Sequence, residues 1–158
     1  MSVMVAFLVV TRSNIAYSRY MEARNYLNDA MKSCRELVQH SITFTRYETG
    51  LRARQWRAEV ARRTIVQLRC VVSVLEYQTR KIHAWKIPEL TQHEKQALLI
   101  SVGKSNERAT MVLAMFMRST IASHVEYLET PIHVNKELRL FAIIANFVTV
   151  RHCNQFQR

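Results

Sequence analysis

The sequence has 158 residues, and 49% of them are hydrophobic, which is enough apolar material for the core of one domain. Only two glycines and two prolines occur, so few positions suit the tight turns of an all-β protein, and we predict an all-α fold. The 23 Lys and Arg residues against 12 Asp and Glu give a net charge of +11, which must face water or a negative partner such as nucleic acid, anionic lipid or permeating anions.

The N-terminal segment from Ser2 to Val10 is apolar, with no basic flank before it and no small-residue cleavage site after it, so a signal peptide is not expected. A bilayer span needs about 20 apolar residues, and this segment meets Arg12 after roughly half that length. We therefore interpret residues 1–11 as the C-terminal half of a transmembrane helix and residues 12–158 as a cytosolic helical region.

Two long helices are predicted next. No helix breaker occurs between Val3 and Thr49, and Gly50 is expected to end this helix in the left-handed conformation. A second amphipathic helix is predicted over residues 51–86, and the short turn between the two favours an antiparallel pair. The apolar stripe predicted to be buried on the second helix consists of Ala61, Ile65, Leu68, Val72 and Leu75.

Shorter helices follow. Thr91 and Glu94 have the spacing of a capping box, which predicts a helix that ends near Gly103, and Ser105 or Asn106 can cap the next one.

The second of these short helices contains seven consecutive apolar residues, Met111–Met117, which predicts a buried core helix. Thr130 followed by Pro131 predicts the start of a last helix that runs toward Val150.

Catalytic patterns are not found. Asp29 is the only aspartate, His93-Glu94 lacks the second histidine of a zinc-protease motif, and neither glycine belongs to a phosphate-binding loop. We therefore predict no enzyme activity, no metal site and no cofactor. The cysteines lack metal-binding spacing and are expected to be small buried residues in a reducing compartment: Cys34, Cys70 and Cys153.

A basic patch for nucleic acid is an alternative interpretation. Its candidate residues crowd the start of the second helix: Arg52, Arg54, Arg57, Arg62 and Arg63. They are distributed around the helix, and only Trp56 interleaves them as an aromatic platform, so a solvated face is also possible and no nucleic-acid partner is expected. The alternative function is a soluble basic helical module that binds nucleic acid or a partner helix.

A more specific pattern lies early in the chain. Seven residues match, in one register, the pattern Arg-x-Asn-x-x-Tyr-x-Arg-x-x-Glu-(Ala or Gly)-Arg: Arg12, Asn14, Tyr17, Arg19, Glu22, Ala23 and Arg24. An ordinary amphipathic helix with charge pairs three residues apart, such as Arg19 with Glu22, would reproduce the helical periodicity of this segment but not the seven matching residues. The segment resembles the bestrophin family at the point where the second transmembrane helix leaves the membrane.

The resemblance implies a membrane protein that forms homopentamers around one axial pore, in contact with lipid, and passes chloride and other monovalent anions. Some bacterial members favour cations. The sequence resembles an incomplete subunit, without the other membrane helices, and is not expected to conduct alone. The calcium-binding clasp of animal members would lie beyond Arg158. The positive-inside rule favours a cytosolic position for the end of the apolar segment that bears the motif arginines.

Two pore positions are implied by the same resemblance. Met4, eight residues before Arg12, corresponds to the innermost ring of the hydrophobic neck, although it could instead face lipid or a neighbouring helix. Leu128 lies where the family has a narrow cytosolic aperture, and a core leucine is the alternative.

Overall fold

A computed structural model describes residues 2–102 and 106–149 of the chain. These residues form helices and turns with no strand among them, which confirms the predicted all-α fold. The α-helices are α1 (Ser2–Phe44), α2 (Leu51–Arg80), α3 (Gln92–Val102), α4 (Ala109–Ala122), α5 (His124–Tyr127) and α6 (Val134–Thr149), with 3₁₀ turns at Ala84–Lys86 and Asn106–Arg108. The expected features at Gly103, Ser105, Val150 and Cys153 lie outside the described residues.

The junction between α1 and α2 differs from its prediction. α1 ends at Phe44, because the N–H of Thr45 bonds to the carbonyl of Ile42, three residues back, and the chain then turns. Gly50 has φ −58° and ψ 156°, so the predicted left-handed conformation of Gly50 is wrong. Gly50 instead precedes α2, where its extended backbone lets its carbonyl accept the N–H of Arg54.

The C-terminal end of α2 also differs from its prediction, since the helix stops at Arg80 and not at Lys86. Lys81 takes the left-handed conformation, with φ 54°, and its N–H bonds to the carbonyl of Tyr77. This reversal directs the chain back toward the core, where Ala84 of the following 3₁₀ turn is fully buried.

α2 packs against both α1 and α4. The sulfur of Cys34 in α1 lies 3.9 Å from the carbonyl oxygen of Thr64 in α2. The indole N–H of Trp56 donates to the carbonyl of Thr120 in α4 at 2.8 Å. α6 completes the main hydrophobic cluster by packing against α1 and α4.

The face of α2 that is buried differs from the predicted stripe. Ile65 is 53% exposed, so its predicted burial is wrong, while Leu68 and Leu75 are half-buried against the main cluster. The residues of α2 that the main cluster buries are Ala53, Trp56, Val60 and Val71. The helical period alone could not locate this face, because the positions of both α1 and α4 determine it.

Helix α4 is only partly a core helix. Leu113, Ala114 and Met117 are buried as predicted, whereas Met111 is 48% exposed and Met115 is 63% exposed. α2, α3 and α6 pack against part of the α4 surface, which leaves the side with these two methionines uncovered in the single chain.

The capping box at the start of α3 is confirmed. The N–H of Thr91 donates to a carboxylate oxygen of Glu94 at 2.9 Å, and the N–H of Glu94 donates to the hydroxyl of Thr91 at 3.2 Å.

The predicted start of the last helix at Thr130 and Pro131 is wrong by about one helical turn. Ile132 is buried, and the chain remains outside the helix until this side chain has entered the core. The carbonyl of His133 then accepts the N–H of Glu137 at 3.1 Å, which begins α6.

The two described cysteines, Cys34 and Cys70, are buried, as expected. Burial raises the pKa of the Cys34 thiol to about 12, so this side chain is a neutral, unreactive core residue.

Helix α6 offers a matched test of the core. Leu140 is fully buried and Leu138 is 57% exposed on the same helix. We expect Leu140→Ala to lower the free energy of unfolding by about 2–5 kcal/mol and Leu138→Ala to change it by no more than about 0.5 kcal/mol. Chemical denaturation followed by circular dichroism measures both values, and equal losses would contradict this packing.

Candidate functional site

The N-terminal half of α1 extends beyond the core. Every side chain from Val3 to Tyr20 is exposed, including Val3 at 84% and Phe7 at 70%. Because apolar residues occur on all sides of this segment, it is suited to contact with lipid or with other protein surfaces rather than with water. Among the helices of the described part of the chain, none has an apolar stretch long enough to cross a membrane.

The residues predicted from the motif lie on this exposed part of α1. Met4 is 78% exposed. The motif residues that follow it are all exposed on the same continuous helix: Arg12, Asn14, Tyr17, Arg19, Glu22 and Arg24. No ion pair joins Glu22 to Arg19 or to another described residue.

Leu128 lies in a different part of the molecule, on the turn formed by residues 127–130. It follows α5 with an extended backbone, and its N–H bonds to the carbonyl of His124 at 2.9 Å. Its side chain is only 6% exposed and belongs to the main cluster. In the single chain Leu128 is therefore a core residue, which agrees with the alternative that the sequence left open.

Glu48 connects the 127–130 turn to the junction between α1 and α2. One oxygen of its carboxylate accepts the N–H of Thr130 at 2.9 Å, and the other lies 3.4 Å from the backbone nitrogen of Glu129. The hydrogen bond from Thr130 is the main cause that lowers the pKa of Glu48. A carboxylate from one end of α1 therefore holds a turn about 80 residues away in the sequence.

Arg57 in α2 fixes the segment that bears Glu48. Its guanidinium donates to the carbonyl of Thr45 at 2.9 Å and to the hydroxyl of Thr45 at 3.2 Å. A second nitrogen donates to the backbone carbonyl of Glu48 at 3.0 Å. These bonds tie Arg57 to the segment that follows α1.

An ion cluster joins α2 to α3. Arg62 donates to Glu59 at 2.7 Å and to the buried Glu94 at 2.9 Å. Arg63 donates to Glu59 at 2.6 Å and lies 3.6 Å from Glu94. Two arginines and two glutamates thus neutralise one another between the helices, together with the capping box at Thr91.

The ionised form of this cluster is favoured. Burial opposes ionisation of Glu94, but hydrogen bonds from Arg62 and Thr91 outweigh burial and hold the pKa of Glu94 below its usual value. The hydrogen bond from Arg62 is the main cause that lowers the pKa of Glu59.

Sequence analysis missed most of these polar contacts. The spacing of Glu59 three and four residues before Arg62 and Arg63 is a local signal that could have indicated the ion pairs. The contact of Glu48 with Thr130 has no local signal, because it depends on how α5 returns to the end of α1.

Other binding features are limited. Within the described ranges, no group of three or more His, Cys, Asp or Glu side chains could hold a metal ion. An open polar cleft of about 420 Å³ lies between α2 and α4, lined by residues that include Trp56, Arg63, Ser123 and Tyr127. It borders the 127–130 turn.

Comparison with known proteins defines the class of protein to which the chain belongs. A model of the family described as "Bacterial/Fungal Bestrophin protein" matches residues 1–148. No curated protein matches the chain, and neither does any solved structure. The match covers nearly the whole chain, including the exposed half of α1 and the 127–130 turn.

The class is therefore that of a membrane ion channel. The chain belongs to the bestrophin family, as its motif indicated. Members of this family are generally oligomeric and are channels rather than enzymes.

The ion cluster predicts a dependence of stability on pH. Because the pKa values of Glu59 and Glu94 are lowered in the folded protein, their stabilisation is present above the ordinary glutamate pKa of about 4.3 and is lost as pH falls through the folded values. We expect Glu94→Gln to keep the capping box and to cost roughly 1–3 kcal/mol at neutral pH, since Arg62 and Arg63 retain Glu59.

Denaturation measured between pH 3 and pH 7 tests this expectation, with Glu126→Gln on the exposed side of α5 as the control. The difference between Glu94→Gln and the parent should shrink as the pH falls from the ordinary glutamate pKa of about 4.3 through the lowered folded pKa of Glu94, because the stabilisation from the ionised carboxylate is lost over that range. A difference that is independent of pH would contradict the role assigned to this charge.

Proposed function

We propose that the protein is a subunit of a homopentameric bestrophin channel that passes chloride and other monovalent anions across a membrane. The observation that supports this most is the exposed apolar start of α1, which continues without a break into the family motif. In this proposal residues 1–11 lie in the membrane part of the pore and the following helices form its cytosolic part.

Met4 is proposed to form the innermost ring of the hydrophobic neck. It is 78% exposed in the single chain, so a position facing a pore axis is open to it. Leu8 lies four residues later and hence close to the same helix face. One such stripe from each of five subunits would line a narrow tube, and an apolar ring of this kind gates by excluding water.

Selectivity for anions is supported by the distribution of charge. The motif arginines Arg12, Arg19 and Arg24 are all exposed on α1, whereas several arginines of α2 are engaged in bonds within the chain. These three exposed guanidinium groups lie next to the proposed membrane segment, on the side that the positive-inside rule makes cytosolic, where they can attract anions. The same engagement of Arg57, Arg62 and Arg63 argues against a nucleic-acid surface on α2.

Assembly with other subunits and with lipid is supported by exposed apolar side chains. Besides the start of α1, large apolar residues on three different helices remain exposed in the single chain: Ile65, Met115 and Leu138. Rings of five subunits need two different surfaces on each subunit, and these residues provide apolar surface on different elements.

The 127–130 turn is proposed to form the narrow cytosolic aperture. Leu128 itself is packed into the main cluster, while Glu129 and Thr130 on the same turn are exposed. In this proposal Leu128 does not line the aperture itself. Its packing in the main cluster holds the turn in place there.

Electrical recording tests the function as a whole. A subunit that carries all the membrane helices implied by the family resemblance, reconstituted into planar lipid bilayers, should pass current, and in a KCl gradient the reversal potential should lie near the chloride equilibrium potential. A reversal near the potassium value would overturn anion selectivity but not channel function. Bilayers that stay silent at a protein density sufficient for detection would overturn the channel proposal.

We expect Met4→Ala to raise the basal current, because a smaller side chain widens the apolar ring and admits water. The matched control is Val9→Ala, since a position five residues later lies on the far side of the helix. Single-channel recording at equal reconstitution measures both variants. If Met4→Ala gated like the parent, Met4 would face lipid or a neighbouring helix.

We expect Leu128→Ala to change the relative permeability of small and large anions, because loss of the packed leucine side chain loosens the 127–130 turn. Ile132→Ala is the control, since Ile132 is buried in the same cluster and both changes should destabilise the fold by about 2–5 kcal/mol. Permeability ratios are obtained from reversal potentials. A change in Leu128→Ala but not in Ile132→Ala supports the aperture role of the turn, whereas a change in both variants or in neither would leave Leu128 as a core residue only.

A further inference from the structure

Two kinds of contact hold the 127–130 turn, apolar packing on one side and hydrogen bonds on the other. On its inner side Leu128 is 6% exposed in the main cluster. On its outer side the backbone nitrogens of Glu129 and Thr130 lie 3.4 Å and 2.9 Å from the carboxylate oxygens of Glu48. The two N–H groups follow one another directly, so a single carboxylate fixes the direction of the backbone as well as its position.

The position of Glu48 is itself determined by other elements. Arg57 donates to the carbonyl of Glu48 at 3.0 Å and to the carbonyl of Thr45 at 2.9 Å, which ties the segment to the first turns of α2. On the other side this segment continues from the end of α1 at Phe44, and α1 is one uninterrupted helix from Ser2. The 127–130 turn is therefore connected through Glu48 to the same helix that bears Met4.

We propose that Glu48 is a positioning residue that fixes the 127–130 turn to the end of α1 and thereby sets the width of the channel's cytosolic aperture. The inference rests on the proposed function, because only in an assembled channel does the position of this turn control ion passage. Without Glu48, the backbone of Glu129 and Thr130 would be held from the inner side alone, by Leu128.

Two variants distinguish the effect of the hydrogen bonds from the effect of having a large side chain at position 48. Glu48→Ala removes both acceptors, while Glu48→Gln keeps one amide oxygen as an acceptor for the N–H of Thr130. Glu126→Ala is the control, since Glu126 is an exposed carboxylate on the neighbouring helix α5. Circular dichroism verifies that all variants retain the helical content of the parent.

The first measurement is hydrogen exchange of the backbone amides of Glu129 and Thr130. Glu48→Ala should speed their exchange by about tenfold or more, Glu48→Gln should restore part of the protection at Thr130, and Glu126→Ala should match the parent. Unchanged exchange in Glu48→Ala would overturn the inference, because the turn would then be held without Glu48.

The second measurement is the permeability ratio of a large to a small anion, iodide to chloride, in reconstituted channels. Glu48→Ala should shift this ratio, Glu48→Gln should return it toward the parent value, and the control should leave it unchanged. A residue with a purely structural role would alter channel yield but not the ratio.

The outcomes distinguish this inference from the proposed function. If the parent conducts and Glu48→Ala speeds amide exchange without changing the permeability ratio, the aperture role of Glu48 is overturned while the channel function stands. If the parent does not conduct, the proposed function is overturned and the aperture role with it.

Discussion

Trp56 lies at the point on which the packing of the described chain depends. Its ring is 1% exposed within the main cluster, and its N–H bonds to the carbonyl of Thr120 at 2.8 Å, which joins α2 to α4. α2 also packs against the C-terminal half of α1. Because α2 contacts both helices, it fixes the C-terminal half of α1 and α4 relative to each other, and α6 completes the cluster by packing against both.

This arrangement leaves the N-terminal half of α1 without a partner from its own chain. The core secures α1 from about Ala30 onward, and the segment before Tyr20 continues in the same direction with all its side chains exposed. Its first part, residues 3–10, is apolar on all sides, and such a helix is stabilised by lipid or by other helices and not by water. The part of the chain with the family motif is thus held by the core but is not covered by it.

The basic residues serve two purposes. In α2, arginines are used inside the chain: Arg57 bonds to the segment that follows α1, and Arg62 and Arg63 share Glu59 and Glu94. In α1 the motif arginines are exposed, so their positive charge is available near the proposed membrane segment. Net charge alone could not separate these roles, because both sets contribute equally to the value of +11.

The sequence by itself determined the features that depend on neighbouring residues. The scarcity of glycine and proline gave the all-helical fold, the spacing of Thr91 and Glu94 gave the capping box, and seven residues of α1 identified the family. Only the tertiary structure decided which face of α2 is buried, that Leu128 packs into the core, and that Glu48 holds Thr130. The physical reason is that these outcomes are set by partners distant in sequence, whereas periodicity and capping report only on the residues within a few positions of each other.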